Sequence, residues 1–477
     1  MKALSACLTP YFLQAVRREG WAHSHFERVV NLAFPEQAGP PRLLTLTRAD
    51  IPELPDSLRL EEAAFRCVQA LERGAPVVWT GRTLLLPGLT LEIPQEAECP
   101  LWRGAGLNRA RAERFLRLYK KIPGENGIET LPEKFRRQAL LELENFAEII
   151  QTGQKISKNL PVGLGKGTTP AGDDALVGVL SAYGKQKAAV FPAALLEQTT
   201  DVSARYLRCA QEGYFSAPVR QAWERLDEAA LAALAQVGAT SGRDMLLGMA
   251  LACRHYLNKE EIRMHVKDEI LSRKLIAIVR GLPSEQLEGL AQAFCAGGIG
   301  LMEITFNQQK PETWAQTAAG IRMLKEKFAG KIIPGAGTVI TLEQLQMAYD
   351  AGAQYIISPN VDVEIIRRTK ELGLISLPGA MTPSEIVEAY KAGADFVKVF
   401  PVGNLGPSYI KALKAPLSHI PLMAVGGVNE KNAADFLKAG ASGLGVGGNL
   451  VNKEWIANGE WEKITALAAE FVKAVQE

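Results

Sequence analysis

Eight short runs of apolar and β-branched residues recur through the last part of the chain, beginning near Leu275, Leu301, Ile332, Tyr355, Leu374, Phe396, Leu422 and Gly443. A helical pattern separates each run from the next. Strands joined by helices pair in parallel, because each crossover returns the chain to the same end of the sheet. An open doubly wound sheet and a closed (β/α)8 TIM barrel share this alternation, and eight evenly spaced runs predict the barrel, over residues 265–477. The tetrads that start at Ala296, Ala351, Ala392 and Ala439 lie between a helical pattern and the next run, where a glycine can close a helix in the left-handed conformation. Thr382-Pro383-Ser384-Glu385 has the form of a capping box.

The first 257 residues lack this rhythm. Residues 1–100 read as a β-rich subdomain, with strand-like Arg42–Thr47 and Pro76–Ile93, and residues 101–257 as mainly helical, as in Glu133–Ile150 and Val219–Gln236. Together they predict an α+β region. Gly172–Gly178 and Gly242–Gly248 share the form GxDxLxG, as though two helix N-termini were built alike. The charged stretch Asn258–Arg263 reads as the joint between the halves.

Composition removes several function classes. Fifty-four basic against 52 acidic residues leave a net charge of +2, too little to point to a nucleic-acid partner. Apolar runs such as Met245–Cys253 are about half the ~18–20 residues of a membrane span, and the N-terminus lacks the core of a signal peptide. Six scattered cysteines without a CxxC pair, and five histidines, predict neither a disulfide framework nor a metal site. The expected location is the cytoplasm.

In such a barrel the chemistry sits at the C-terminal ends of the strands. Period two puts Phe396, Lys398 and Phe400 on one face of a strand. Burial can lower a lysine pKa by up to ~3–5 units and free a nucleophilic amine. The alternative is a lysine that snorkels to the rim or joins an ion pair, and this strand alone does not choose. Glu303 is a second charge inside an apolar run, suited either to proton shuttling or to pairing with Lys398 or Arg280. Arg280 and Thr338 end two further strands and are candidates for holding a carboxylate. Gly426-Gly427 and Gly447-Gly448 close the last two strands, where bare N–H groups can receive a phosphate.

The ordered set MEIT, GAGTV, ISP, LPGAMTPSE, VKVFP, AVGGV and GVGG resembles 2-keto-3-deoxy-6-phosphogluconate / 4-hydroxy-2-oxoglutarate aldolase, a class I aldolase, from about Lys267 to Glu477. The resemblance implies Lys398 as the Schiff-base lysine and Glu303 as the general acid/base. It also implies Arg280, Thr338, Pro359 and Phe400 as substrate contacts, and Gly427 and Gly448 as phosphate loops. Asn307 stands where many members have an arginine clamp for the substrate carboxylate, and Asn449 where many have serine. The reaction implied is cleavage of a 2-keto-4-hydroxy acid to pyruvate and an aldehyde, without cofactor, by a homo-oligomer that is typically a trimer.

In the N-terminal half, Gly163-Leu164-Gly165-Lys166-Gly167-Thr168-Thr169-Pro170-Ala171-Gly172-Asp173-Asp174 is a glycine- and threonine-rich loop leading into a helix. It is not a P-loop, since Gly167 follows the lysine. Lys166, Thr168 and Thr169 suit an anion at a helix N-terminus, and Asp173 and Asp174 suit either a metal or a cap. With Thr240-Ser241-Gly242-Arg243-Asp244 it resembles a family that includes a subunit of oxamate carbamoyltransferase. Two rival readings stand beside the aldolase: carbamoyl or acyl transfer in the N-terminal half as the main function, and a barrel that senses phosphorylated sugar acids without turnover.

Overall fold

A computed structural model describes residues 1–152, 156, 159–184 and 191–476. The chain divides into two compact units, Met1–Asn258 and Lys259–Glu477. Among the described residues no helix is long and apolar enough to cross a membrane.

Unit one opens with an eight-stranded sheet drawn from Ser5–Cys7 through Leu89–Glu92. Its neighbours run antiparallel except Arg42–Arg48 and Ser57–Leu60, which pair in parallel. Phe12, Phe34 and Trp79 meet edge to face over this sheet, and the Trp79 indole N–H donates to the Phe12 carbonyl at 2.9 Å. Helices follow, from Arg109–Tyr119 onward. The helix Ala171–Tyr183 is buried at every position from Ala171 to Ala182, as its apolar circumference requires.

The two GxDxLxG segments open the helices Ala171–Tyr183 and Ser241–Arg273, and these helices pack on each other through the glycines that end the motifs. A Cβ on Gly178 would stand 2.0 Å from the Met245 carbonyl oxygen, and one on Gly248 would stand 1.9 Å from that of Ala175. Gly178→Ala is therefore expected to destabilise unit one by roughly 1–3 kcal/mol or more, read as an earlier transition in chemical denaturation of the full chain. An unmoved transition would mean that the helices separate without cost. The charged stretch Asn258–Arg263, where the two units divide, lies inside the helix Ser241–Arg273. Its residues are good helix formers, and Glu260 and Arg263 pair across one turn at 2.6 Å.

Unit two carries a parallel, barrel-like sheet. Its strands are Leu275–Val279, Leu301–Thr305, Ile333–Gly337, Tyr355–Ile357, Ile375–Leu377 with Gly379–Ala380, Val397–Val399, Leu422–Val425 and Gly443–Val446. The last pairs with the first. Pro378 divides the fifth into two pieces, of which one pairs with the fourth strand and the other with the sixth. The strands are buried on both faces, which is why they read as apolar runs. Inside the sheet, Val266 and Ile270 of the preceding helix pack with Ile276, Leu301, Tyr355, Phe396 and Met423.

The helix ends follow the local chemistry. Thr382 and Glu385 form the expected capping box, and Gly352 and Gly393 close their helices in the left-handed conformation. At the Ala296 tetrad the positive φ falls on Gly298, one residue beyond the helix cap.

Candidate functional site

At the C-terminal ends of the unit-two strands lies a cavity of about 670 Å³. Lys398 and Glu303 line it, as do Arg280, Thr338, Pro359 and Phe400. So do Gly426, Gly427, Gly447, Gly448 and Asn449. Nine of these eleven positions come from the loops after six different strands, and Glu303 and Lys398 project from within their own strands.

Lys398 occupies the middle of the strand Val397–Val399 and is 8% exposed. Its Nζ lies 4.6 Å from the centre of the Phe400 ring. Burial pulls its pKa below the ordinary lysine range; Glu303 opposes this and Arg280 reinforces it. Glu303 is buried, and desolvation pushes its carboxyl up to about 7, against the pull of Lys398 and Arg280. Its Oε2 has no hydrogen-bond partner among the described residues. Among the described residues no ion pair joins Lys398 and Glu303, and both line the cavity. A buried amine beside a carboxyl that can exchange a proton at neutral pH suits nucleophilic attack on a carbonyl with acid–base assistance.

Thr338 adopts a left-handed conformation, φ +52°, unusual for a β-branched residue. Two glutamines brace it. Gln308 donates to the Thr338 carbonyl at 2.7 Å, and Gln344 donates to the Gln308 side chain at 2.8 Å. Gln344 also accepts from the Ile340 N–H at 2.9 Å. The sequence offers no pattern that singles out these glutamines.

Asn307 is the one barrel candidate that the cavity leaves out. Phe306 buries itself at the strand end, and Asn307 turns to a separate depression shared with Lys310 and Thr313. There its side chain accepts from the Gln309 N–H at 3.0 Å, and its carbonyl accepts from the Trp314 indole at 2.9 Å. Lys453, just past the last glycine pair, lines the cavity instead and had no distinguishing signal in the sequence.

The glycines earn their places by close approach. A Cβ on Gly427, whose φ is +84°, would stand 2.5 Å from Gly403 Cα. The Asn449 side chain donates to the Val428 carbonyl at 2.7 Å and so ties the loop after the eighth strand to the loop after the seventh.

Comparison with known proteins divides at the same place as the fold. A family model for KDPG and KHG aldolase matches residues 266–467. A 2-dehydro-3-deoxy-6-phosphogalactonate aldolase of Escherichia coli (strain K12) is 38% identical over 204 residues, 43% of this chain and 95% of that protein. The chain belongs to the KDPG and KHG aldolase family. A probable 2-dehydro-3-deoxy-6-phosphogalactonate aldolase of Rhizobium meliloti (strain 1021) is 40% identical over 181 residues, 38% of this chain and 82% of that protein. The solved structure described as native KDPGal aligns at 36% identity with a TM-score of 0.39, covering 42% of this chain and 94% of its own. The aldolase family likeness stops at unit two. In unit one, the model for AllH, an oxamate carbamoyltransferase subunit, matches residues 161–253, and the AllH family N-terminal domain model matches residues 2–99.

The loop before the helix Ala171–Tyr183 is differently organised from the aldolase cavity. Lys166 and Thr168 are exposed, and the Thr169 hydroxyl meets that of Ser241 at 2.8 Å. Asp173 accepts from the Gly163 N–H at 2.9 Å and from the Thr199 hydroxyl, and the Thr200 hydroxyl donates to the Thr168 carbonyl. Asp173 thus ties the loop together instead of capping its own helix, whose N-cap is Pro170. Asp174 is buried, and desolvation holds its pKa well above the usual carboxylate range.

Proposed function

We propose that unit two is a closed (β/α)8 barrel that cleaves a phosphorylated 2-keto-3-deoxy sugar acid to pyruvate and a three-carbon aldehyde phosphate, with Lys398 as the Schiff-base nucleophile and Glu303 as the general acid/base. The observation that carries this reading is the buried Lys398 amine sharing one cavity with a carboxyl whose pKa lies at about 7. Greater identity to two phosphogalactonate enzymes, 38–40%, than to three phosphogluconate enzymes, 28–33%, favours the galactonate configuration at C4.

In this reading the Lys398 amine adds to the C2 carbonyl, and loss of water gives an iminium. Glu303 takes the C4 hydroxyl proton, the C3–C4 bond breaks, and its electron pair moves into the enamine as the aldehyde leaves. Proton return to C3 and hydrolysis release pyruvate and the free lysine. Arg280 takes the substrate carboxylate, a task that a bidentate guanidinium performs better than the amide of Asn307. Thr338, Pro359 and Phe400 shape the keto-acid end. Gly426, Gly427, Gly447, Gly448 and Asn449 receive the phosphate with their backbone N–H groups, and Lys453 adds a cation. A homo-oligomer, a trimer by family likeness, is the expected assembly.

Sodium borohydride added with pyruvate tests the assignment. The expected result is one reduced pyruvyl group on the peptide bearing Lys398, and cleavage assays with both C4 epimers then identify the substrate. A chain that binds phosphorylated sugar acids but traps no pyruvate is a sensor, and the aldolase reading fails. For unit one, the AllH match supports a second activity in carbamoyl transfer; phosphate-dependent release of a carbamoyl group by the full chain is its test.

A further inference from the structure

Glu303, Gly335 and Tyr355 stand side by side on three adjacent strands: Glu303 pairs with Gly335, and Gly335 with Tyr355. Residues opposite one another in a parallel sheet send their side chains to the same face, here the barrel interior. Gly335 contributes no side chain, and the Tyr355 ring occupies its place. A Cβ at 335 would stand 2.1 Å from Tyr355 Cε2 and 2.3 Å from Cζ, the carbon that bears the hydroxyl. The ring therefore crosses the third strand with its hydroxyl end directed toward the strand of Glu303. Gly337 clears space in the same way, since a Cβ there would stand 2.6 Å from Glu303 Oε1.

Two oxygen atoms in this space are buried without a hydrogen-bond partner: the Tyr355 hydroxyl and Glu303 Oε2. Tyr355 is fully buried. A tyrosine serving only as filler would be better replaced by phenylalanine, because an unbonded buried hydroxyl costs stability. Burial, with Glu303 adding to it, holds the phenol far above its ordinary pKa, so Tyr355 remains an O–H donor at every working pH. The other charged groups acting on Glu303 are Lys398 and Arg280.

We propose that Tyr355 is a positioning residue for Glu303: its hydroxyl donates to the carboxyl when that group is ionised, and so holds it in place between proton transfers. This rests on the reading of Glu303 as the acid/base group. A hydrogen bond to the charged form favours that form, so removing it raises the proton affinity of Glu303.

The experiment is Tyr355→Phe in the full chain, with kcat and KM measured from pH 5 to 9. The rising limb of kcat is expected to move up by about half to one pH unit, so that kcat below pH 7 falls about three- to tenfold. KM and the fraction of enzyme trapped by borohydride and pyruvate are expected to match the wild type. Installing 3,5-difluorotyrosine at 355, a stronger donor of nearly the same shape, should move the limb the opposite way, and it keeps the test open if the phenylalanine variant folds poorly. A limb that ignores both changes makes Tyr355 a core filler and overturns the proposal. Failure of the wild type to trap pyruvate would instead overturn the aldolase reading.

Discussion

Lys398→Met is expected to abolish aldol cleavage, by about 10⁴-fold or more in kcat, and at the same time to raise the melting temperature of unit two at neutral pH. The loss follows from chemistry: the other amine lining the cavity, Lys453, is exposed and lies past the Gly447-Gly448 loop, so only the buried Lys398 is placed to form the iminium that accepts the electrons of the broken C3–C4 bond. The gain follows from linkage. Burial holds the folded-state pKa of Lys398 below that of the unfolded chain. The unfolded chain therefore binds the proton more tightly, and this group costs stability increasingly as pH falls from its unfolded value to its folded one, below which the cost stays at its full size. Methionine has nearly the same length, no charge to desolvate and a thioether that packs readily beside the Phe400 ring. A structural lysine would behave otherwise. If Lys398→Met lowers the melting temperature and leaves slow but measurable cleavage, the amine is part of an ion pair and the nucleophile lies elsewhere.

The same tension between stability and chemistry explains which parts of the site could be read from the chain. Lys398 and Glu303 are charges inside apolar runs, and a strand buried on both faces gives such a residue nowhere to go except the cavity at the barrel's end. Strand starts were legible for the same reason, and Ile333, Ile375 and Val397 each begin within one residue of the expected position. Asn307 was less legible: Phe306 packs outward with Ile304 and Trp314, and beyond it the Asn307 amide accepts from the Gln309 N–H and faces a separate depression instead of the cavity. Tyr355 looks like core in an apolar strand, and only its register beside Gly335 and Glu303 shows where the hydroxyl goes. Gln308 and Gln344 meet across 36 residues, a contact that no local pattern announces. In unit one the buried charges were equally hidden. Arg42 is 3% exposed yet pairs with Asp56 at 3.1 Å and with Glu212 at 2.9 Å, and its second partner is 170 residues away. The repeated GxDxLxG marked two similar helix starts, but nothing in it said that the two helices touch.

Glu303→Gln separates carbon–carbon cleavage from imine formation. The variant is expected to cleave about 10²–10⁴-fold more slowly, the usual worth of a positioned acid or base. It should still yield the borohydride adduct with pyruvate, because the Lys398 amine remains and loses only a neighbour that had favoured its charged form. Exchange of the pyruvate methyl protons with solvent should slow alongside cleavage, since both need a proton carried to and from the same carbon framework. The stability of the variant supplies an independent sign. In the folded protein desolvation lifts the Glu303 pKa to about 7, whereas the unfolded chain ionises in the ordinary glutamate range. The carboxyl is therefore no burden at pH values below that range, and it becomes one progressively as pH rises to about 7 and the folded protein retains a proton that the unfolded chain has lost. Glutamine carries no such penalty, so the gain in melting temperature of Glu303→Gln over the wild type should be larger at pH 8 than at pH 5. A variant that instead becomes less stable at pH 8 would mean that Glu303 is held as a structural anion, and neither its role in proton transfer nor the positioning by Tyr355 would survive that result.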